Sequence, residues 1–299
     1  MTEAQKGVAA LIAACTVWGL SPIYYKALSD VPPPEVLSHR SLWSLVIFTL
    51  VLIRQGRLAG VTGLFVGRRA GLVVLATAMI SLNWYIYIVA IQAGHAMQSS
   101  LGYYIFPLVA VLIGFAVFHE RMAAMQVVAV AMAVVAVLVL TIGTGTPPWV
   151  ALMLAVTFGI YAALKRVIGG SAVTSVTAEM LLLAPFALAW LMAAHLGGFG
   201  HGGAFGHGWR VSLMLAFSGV ITALPLMWFS AAAQRVSMTT FGLIQFVNPT
   251  LQFLCATLIF AEPFSRWHML AFALIWAALA IYSVASLRTE ARDRPVLSG

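Results

Sequence analysis

Long apolar runs, separated by short polar or Gly/Pro-rich breaks, dominate this chain. No Asp, Glu, Lys or Arg occurs between Arg69 and Glu120, or between Arg121 and Lys165. A helix needs about 20 mostly apolar residues to cross the hydrocarbon core of a bilayer, so each of these two intervals holds more than one such helix. The pattern predicts ten spans, at residues 7–27, 36–53, 70–93, 97–118, 123–141, 149–164, 173–194, 211–233, 239–260 and 267–287.

Composition agrees with a protein that has lipid as its outer solvent. Of the 299 residues, 62% are hydrophobic and 8% are charged, against roughly 25% charged residues in an ordinary soluble domain. The first apolar run continues to Tyr25 without a small-residue cleavage site, which indicates a first span and not a cleavable signal peptide. Cys15 and Cys255 lie inside spans without a metal-ligand spacing, so we expect them to be packing residues. The predicted fold class is therefore an all-α membrane protein.

The distribution of basic residues predicts how the spans are oriented. With a cytoplasmic N-terminus, most Lys and Arg residues fall in connections on the cytoplasmic side, and the outer connections hold Lys26, Arg40, Arg210 and Arg266. This bias follows the positive-inside rule, so both termini are expected to face the cytoplasm of a bacterial inner membrane. Topology also explains the net charge of +8, and we expect no nucleic-acid partner. The expected surroundings are the lipid bilayer and a small-molecule substrate, with the protein functioning as a monomer.

The chain also repeats itself. A shift of 142 residues places Gln92, Pro107 and Glu120 on Gln234, Pro249 and Glu262 without a gap. A looser match joins Trp18-Gly19 to Phe158-Gly159. Rare residue types that keep register across two spans and their loop indicate a repeat of five spans. The predicted units are residues 1–143 and 147–288, followed by a cytoplasmic tail at 289–299.

An odd number of spans in each unit means that the second copy enters the membrane from the opposite side. Inverted repeats of this kind are typical of secondary transporters, whose substrate site lies near the bilayer midplane where the halves meet.

Five short motifs resemble one known family. Trp18-Gly19-Leu20-Ser21-Pro22 with Lys26, Pro34-Glu35 leading to His39-Arg40-Ser41-Leu42-Trp43-Ser44, Asn83-Trp84, Ser100-Leu101-Gly102-Tyr103-Tyr104 with Pro107, and Glu120-Arg121 are similar to the RarD branch of the EamA family. That family belongs to the drug/metabolite transporter superfamily. Where the branch usually has Asn before the proline of span four, this chain has Phe106.

The resemblance implies a ten-helix secondary transporter with two inverted five-helix halves. Members of the wider family export amino acids, some of them aromatic, or move other small metabolites. The expected function is therefore export of amino acids, including aromatic ones, or related metabolites across the inner membrane. A multidrug or other metabolite permease of the same family is the alternative, and a non-transporting scaffold is a third reading.

Two features of spans four and nine are candidates for the transport pathway. Pro107 and Pro249 occupy equivalent positions, and a mid-helix proline frees a carbonyl and kinks the helix. We predict a gating role for both, against simple adjustment of helix shape. Span nine also carries Gln245, Asn248 and Gln252 along one face. Amides in a membrane helix either join helices or contact a polar ligand, and both interpretations stay open here.

Aromatic residues near mid-span suggest the walls of a pocket. The predicted substrate-contacting residues, besides the three amides, are Trp18, Asn83, Tyr87, Tyr103, Phe158 and Tyr161. Interfacial belting is the alternative for such residues, because Trp and Tyr collect at the level of the headgroups. A pocket with aromatic walls and a few amides would suit a medium-sized, partly apolar solute.

Two charged residues inside spans are further candidates. Arg40 is placed to meet a substrate carboxylate, although reaching the outer headgroups or pairing with Glu35 is the favoured interpretation. Glu179 is the most deeply embedded acid, and a proton-coupling role is a secondary hypothesis for it. Glu120 and Glu262 end their helices at the membrane edges, where packing or loop anchoring is expected.

Catalytic and energy-coupling motifs are missing from the sequence. There is no phosphate-binding loop and no His-Glu-x-x-His motif. The loop from His201 to His207 lacks a rigid spacing or a carboxylate, so a flexible linker is expected and not a metal site. We therefore expect no enzyme activity, no metal and no cofactor, and either facilitated diffusion or weak proton coupling.

Overall fold

The computed structural model describes residues 1–197 and 202–293, and side chains within these ranges except at 238–239 and beyond 285. Ten membrane-length helices follow one another, separated by short connections. They are α1 (Glu3–Lys26), α2 (Pro33–Arg54), α3 (Arg68–Gln92), α4 (Ala96–Phe118), α5 (Ala124–Thr144), α6 (Trp149–Ile168), α7 (Ala172–His195), α8 (Trp209–Ala233), α9 (Met238–Gln245 and Val247–Leu254) and α10 (Arg266–Asp293).

These helices confirm the ten spans, because each is long and apolar enough to cross a membrane. Small extra elements, the helical turns Ala59–Thr62 and Gly63–Phe65, join α2 to α3. Helix α10 continues to Asp293, into the segment predicted as a tail, and residues 294–299 lie outside the described part of the chain. We call the end of the bundle that carries the N-terminus the N-face, and the opposite end the distal face.

The two halves are interleaved. Within the described residues, every extensive contact between spanning helices joins a helix of the first half to one of the second. Helix α4 packs on α6 and α9, while its equivalent α9 packs on α1 and α4. Helix α2 packs on α7 and α8, and α5 packs on α10. Pairing of this kind agrees with two inverted repeats related by a pseudo-twofold axis.

Two glycines show the repeat at atomic detail. A Cβ atom on Gly19 of α1 would lie 2.7 Å from Cβ of Leu251 in α9, and one on Gly159 of α6 would lie 3.0 Å from Cγ1 of Val109 in α4. The 142-residue shift places Val109 on Leu251. Each half therefore uses a glycine to bring its first helix close to the fourth helix of the other half, as small residues do in membrane helix pairs.

The two proline-containing helices differ. Pro249 has no N–H to donate to the carbonyl of Gln245, and α9 breaks there into two segments that meet at Phe246, followed by a π-turn at Cys255–Ile259. Helix α4 is continuous through Pro107. The predicted kink is therefore an interruption in one half only. Apolar side chains on the outside of the bundle, such as Leu181 and Phe186, are exposed where lipid would lie.

Candidate functional site

Five aromatic side chains form a continuous row through the middle of the bundle. We call Tyr25, Tyr87, Tyr103, Phe158 and Tyr161 the aromatic row. Consecutive ring centroids are 5.7, 5.9, 5.9 and 5.9 Å apart, mostly in edge-to-face geometry. The row crosses from α1 through α3 and α4 to α6, so both halves contribute to it. Four of the predicted substrate residues are therefore brought together, and Tyr25 is a fifth member that is not among the predicted residues.

Asn83 joins helices behind this row. Its Nδ2 donates to the Leu154 carbonyl at 3.0 Å and to Thr157 Oγ1 at 2.9 Å, and its Oδ1 accepts from the Tyr103 hydroxyl at 3.3 Å. Both N–H groups and the oxygen thus have partners inside the protein. The side chain orients the Tyr103 ring and ties α3 to α6.

Arg40 lies beside the start of the row, and its position corrects the favoured interpretation of this residue. It is 6% exposed, so it does not reach the headgroups. It does not pair with Glu35 either, because Glu35 Oε1 accepts from the Ala204 and Phe205 N–H groups at 2.7 and 3.1 Å. The guanidinium carbon instead lies 4.0 Å from the Trp84 ring centre and 5.7 Å from that of Tyr25. Its Nε atom is buried without a hydrogen-bond partner.

Glu179 lies at the other end of the row, fully buried. Its carboxylate accepts from Lys165 Nζ at 2.7 Å, from the Tyr161 hydroxyl at 3.0 Å and from Ser175 Oγ at 3.2 Å. Lys165 also donates to Ser175. The prediction of orientation places Lys165 in a connection after span six, whereas the structure places it in the last turn of α6, which continues to Ile168.

The remaining predicted substrate residues lie apart from the row. Trp18 packs on Phe229, with ring centroids 5.4 Å apart. Gln252 Nε2 donates to Asn248 Oδ1 at 2.8 Å, while Gln252 Oε1 is buried without a partner. Gln245 is half-buried on the N-face segment of α9. In the part of the chain that the structure describes, no hydrogen bond or ring contact joins these four side chains to the aromatic row.

The distal ends of the helices are tied together by repeat-related residues. The Ala96 and Met97 N–H groups, at the start of α4, donate to Glu262 Oε1 and Oε2 at 2.7 and 2.8 Å. Burial raises the pKa of Glu262 above its ordinary value, and the two amide donors offset only part of that rise. Gln92 Nε2 donates to the Leu28 and Val31 carbonyls at 2.8 and 3.2 Å. We call the bonds of Glu262 and Gln92 the distal ties.

The equivalent residues on the N-face are placed differently. Glu120, the counterpart of Glu262, accepts from Arg166 Nη1 at 2.5 Å and folds against Gly114 of its own helix. The start of α9, which the repeat would pair with Glu120, is capped instead by Ser237 Oγ. Gln234, the counterpart of Gln92, is exposed. At the distal face Glu262 therefore binds the start of α4, whereas at the N-face its counterpart Glu120 binds Arg166 and makes no described bond to the start of α9.

Helices α4 and α9 are in contact toward the distal face and separate toward the N-face. Toward the distal face, Ser100 Oγ donates to the Pro249 carbonyl at 2.8 Å and the hydroxyls of Tyr104 and Thr250 are 2.6 Å apart. The N-face segment of α9 packs on α1 and α10 without an extensive contact to α4. Cavities of about 260 and 160 Å³ flank the N-face half of α4, next to Glu120. Neither of these two cavities is lined by the aromatic row.

A loop covers the distal side of Arg40. The Phe205 ring stacks on His39 with centroids 4.6 Å apart, next to the Glu35 bonds already described. His201 of the predicted linker lies outside the described residues. Within them, no three His, Cys, Asp or Glu side chains come together as a metal site would require.

Comparison with known proteins identifies the family of this chain. Residues 5–142 match the EamA-like transporter family. An uncharacterized transporter of Vibrio cholerae is 38% identical over 96% of this chain and 94% of its own. Protein RarD of Streptomyces exfoliatus is 39% identical over 98% of this chain and 92% of its own. The chain is a RarD-like member of the EamA-like transporter family.

A solved crystal structure shares the fold. It superimposes with a TM-score of 0.62 over 94% of this chain and 98% of its own, at 16% sequence identity. At that identity the likeness supports the architecture alone. The family membership and the ten-helix fold predicted from the motifs are thus confirmed.

Proposed function

We propose that this protein is a secondary transporter that exports amino acids, including aromatic ones, or related small metabolites across the inner membrane by alternating access. Transport as the general function is supported by membership of the EamA-like transporter family and by relatives that are named as uncharacterized transporters. The N-face is the cytoplasmic side in this proposal, as the basic connections predict.

One observation carries the alternating-access part of the proposal. Glu262 is bound to the start of α4 at the distal face, and its repeat-related counterpart Glu120 is bound elsewhere at the N-face. In an inverted repeat the two halves can exchange roles, which gives two states. In each state the ties are made at one face and released at the other. The described conformation is then closed outward and parted toward the cytoplasm.

The aromatic row supports the choice of cargo. Edge-to-face rings with half-buried members such as Tyr103 and Phe158 offer flat apolar surface to a solute that crosses between the halves. Pro107 and Pro249 are the proposed hinges, because both lie in the two helices that diverge. Drugs or other metabolites with an aromatic body remain the alternative cargo, since the same surface accepts them.

Efflux from proteoliposomes tests the proposal. Purified protein would be reconstituted into vesicles loaded with labelled phenylalanine, with protein-free vesicles as the control. We expect protein-dependent efflux that unlabelled aromatic amino acids reduce by competition. A panel of amino acids, aromatic acids and sugars of which none is moved would contradict the transporter function.

A further inference from the structure

We propose that Arg40, together with the Tyr25 hydroxyl, forms a binding site for the carboxylate of an aromatic monocarboxylate. The inference rests on the proposed function and specifies its substrate class. It makes the carboxylate, and not the ammonium group of an amino acid, the feature that the protein recognises.

The first argument is that Arg40 has no counter-ion among the described side chains. Among the side chains that the structure describes, every acid of the membrane region is engaged elsewhere: Glu35 with Ala204 and Phe205, Glu120 with Arg166, Glu179 with Lys165, and Glu262 with Ala96 and Met97. An arginine that is 6% exposed and has no opposite charge beside it is costly, because the Trp84 and Tyr25 rings offset only part of its desolvation. An anionic ligand would supply that charge.

The second argument is that two donors without a regular hydrogen bond belong to neighbouring side chains. Arg40 Nε and the Tyr25 hydroxyl are both buried and neither makes a hydrogen bond of normal length and angle, the Thr222 side chain being the polar group beside the hydroxyl. The guanidinium carbon lies 5.7 Å from the Tyr25 ring centre. Buried polar groups without partners are uncommon and often mark a place that another molecule occupies. A planar carboxylate matches the fork of a guanidinium in size and geometry.

The third argument concerns the body of the ligand. The Trp84 ring, 4.0 Å from the guanidinium carbon, holds the fork in place, and the Tyr87 ring stands 5.7 Å from Tyr25. An aromatic group next to the carboxylate would lie along the aromatic row. The described acids on the two sides of this region are already bound, Glu35 to backbone N–H groups of the loop and Glu179 to Lys165 at the far end of the row, so a ligand ammonium would have to compete for them.

Calorimetric titration of the protein in nanodiscs tests the site. The probes are 3-phenylpropionate, which has a carboxylate and no amine, and 3-phenylpropionamide, its uncharged analogue. We expect the wild-type protein to bind the acid at least tenfold more tightly than the amide. The Arg40→Gln variant should lose that preference, and Arg40→Lys, which keeps the charge but not the fork, should retain part of it.

Two further variants keep the test interpretable. Tyr25→Phe removes one hydroxyl from an intact ring and should weaken acid binding severalfold without changing amide binding. Arg266→Gln is the matched control, because Arg266 also lies over a tryptophan ring, 5.0 Å from Trp267, but is exposed at the distal face. Equal binding of acid and amide by the wild type, or unchanged acid binding in both Arg40→Lys and Tyr25→Phe, would overturn the proposal.

Vesicle efflux separates this inference from the proposed function. A protein that moves aromatic solutes without preferring acids retains the transporter function and loses the carboxylate site. A protein that binds 3-phenylpropionate through Arg40 and moves no solute retains the site and loses the transporter function.

Discussion

Arg40 and Glu179 lie equally far from the starts of equivalent helices of the two halves: each lies seven residues after the first residue of its helix, α2 or α7. Both are buried, at opposite depths of the membrane. Glu179 has Lys165 as its partner, and Arg40 has none among the described residues. One half thus has an acid with a counter-ion near one face, and the other half has an arginine without a described counter-ion near the opposite face. The position of Arg40 is therefore where a negatively charged ligand would complete an ion pair.

The first prediction concerns the Lys165–Glu179 pair. Glu179→Gln leaves the lysine largely buried without its counter-ion, and breaking a buried pair on one side costs about 3–5 kcal/mol. We expect a clear fall in thermal unfolding temperature in nanodiscs. The double variant Lys165→Met with Glu179→Leu removes both charges and should recover most of the loss. A double variant as unstable as the single one would argue that Tyr161 and Ser175 depend on the carboxylate itself.

The second prediction concerns the distal ties. Glu262→Ala removes the acceptor for two N–H groups of α4, and a bond to a charged group contributes about 1.5–3 kcal/mol. In a background without Cys15 and Cys255, a reporter made by Met97→Cys should be labelled severalfold faster by an impermeant maleimide added outside. The control is Glu120→Ala at the equivalent N-face position, for which outside labelling should not change. Equal labelling in both variants would show that the ties do not hold the distal face closed.

The third prediction concerns pH. Burial raises the pKa of Glu262 in the tied state, whereas in an open state water restores the ordinary value near 4.5. The tied state therefore binds a proton more readily than the open state. As the pH falls through the raised pKa, the tied state is stabilised relative to the open state. Below the ordinary pKa both states are protonated, and the difference between them stays constant. Outside labelling of the same reporter should slow on acidification. The dependence should disappear in Glu262→Gln, and a dependence that survives this change must arise elsewhere.

The fourth prediction concerns the crossing of α2 and α8. A Cβ atom on Gly219 would lie 2.6 Å from the backbone carbonyl carbon of Trp43, so Gly219→Ala forces the helices apart and should cost about 1–3 kcal/mol. Gly71→Ala in α3 is the matched control, because its Cβ meets open space. It should be neutral or stabilising by up to about 1 kcal/mol. Thermal unfolding of both proteins in nanodiscs gives the comparison.

The fifth prediction concerns Tyr103. Tyr103→Ala removes the central ring between Tyr87 and Phe158 and should reduce efflux of aromatic solutes about tenfold, with a much smaller effect on aliphatic ones. Tyr103→Phe keeps the ring and loses only the 3.3 Å bond to Asn83, so its efflux should stay near that of the wild type. An equal loss for both classes of solute would remove Tyr103 from the pathway.

The number of spans, the repeat and the family could all be read from the sequence. Lipid requires about 20 apolar residues in each span and polar residues between spans, so the positions of charges reveal the helices directly. The match of Gln92, Pro107 and Glu120 to their counterparts revealed the inverted halves, because rare residue types seldom keep register by chance. These are local or periodic properties, which do not depend on how the helices rotate.

Partners of individual polar side chains were decided only by the tertiary structure. Lys165, counted as a loop charge, is bound to Glu179, while Glu35, expected near Arg40, is bound to backbone N–H groups of a loop 169 residues away. Tyr25 joined the aromatic row and Trp18 did not. Such choices depend on the rotation of each helix and on which helix of the other half it meets. Neither is encoded in hydrophobic periodicity, because a span that is apolar on all sides gives no signal for the face it buries.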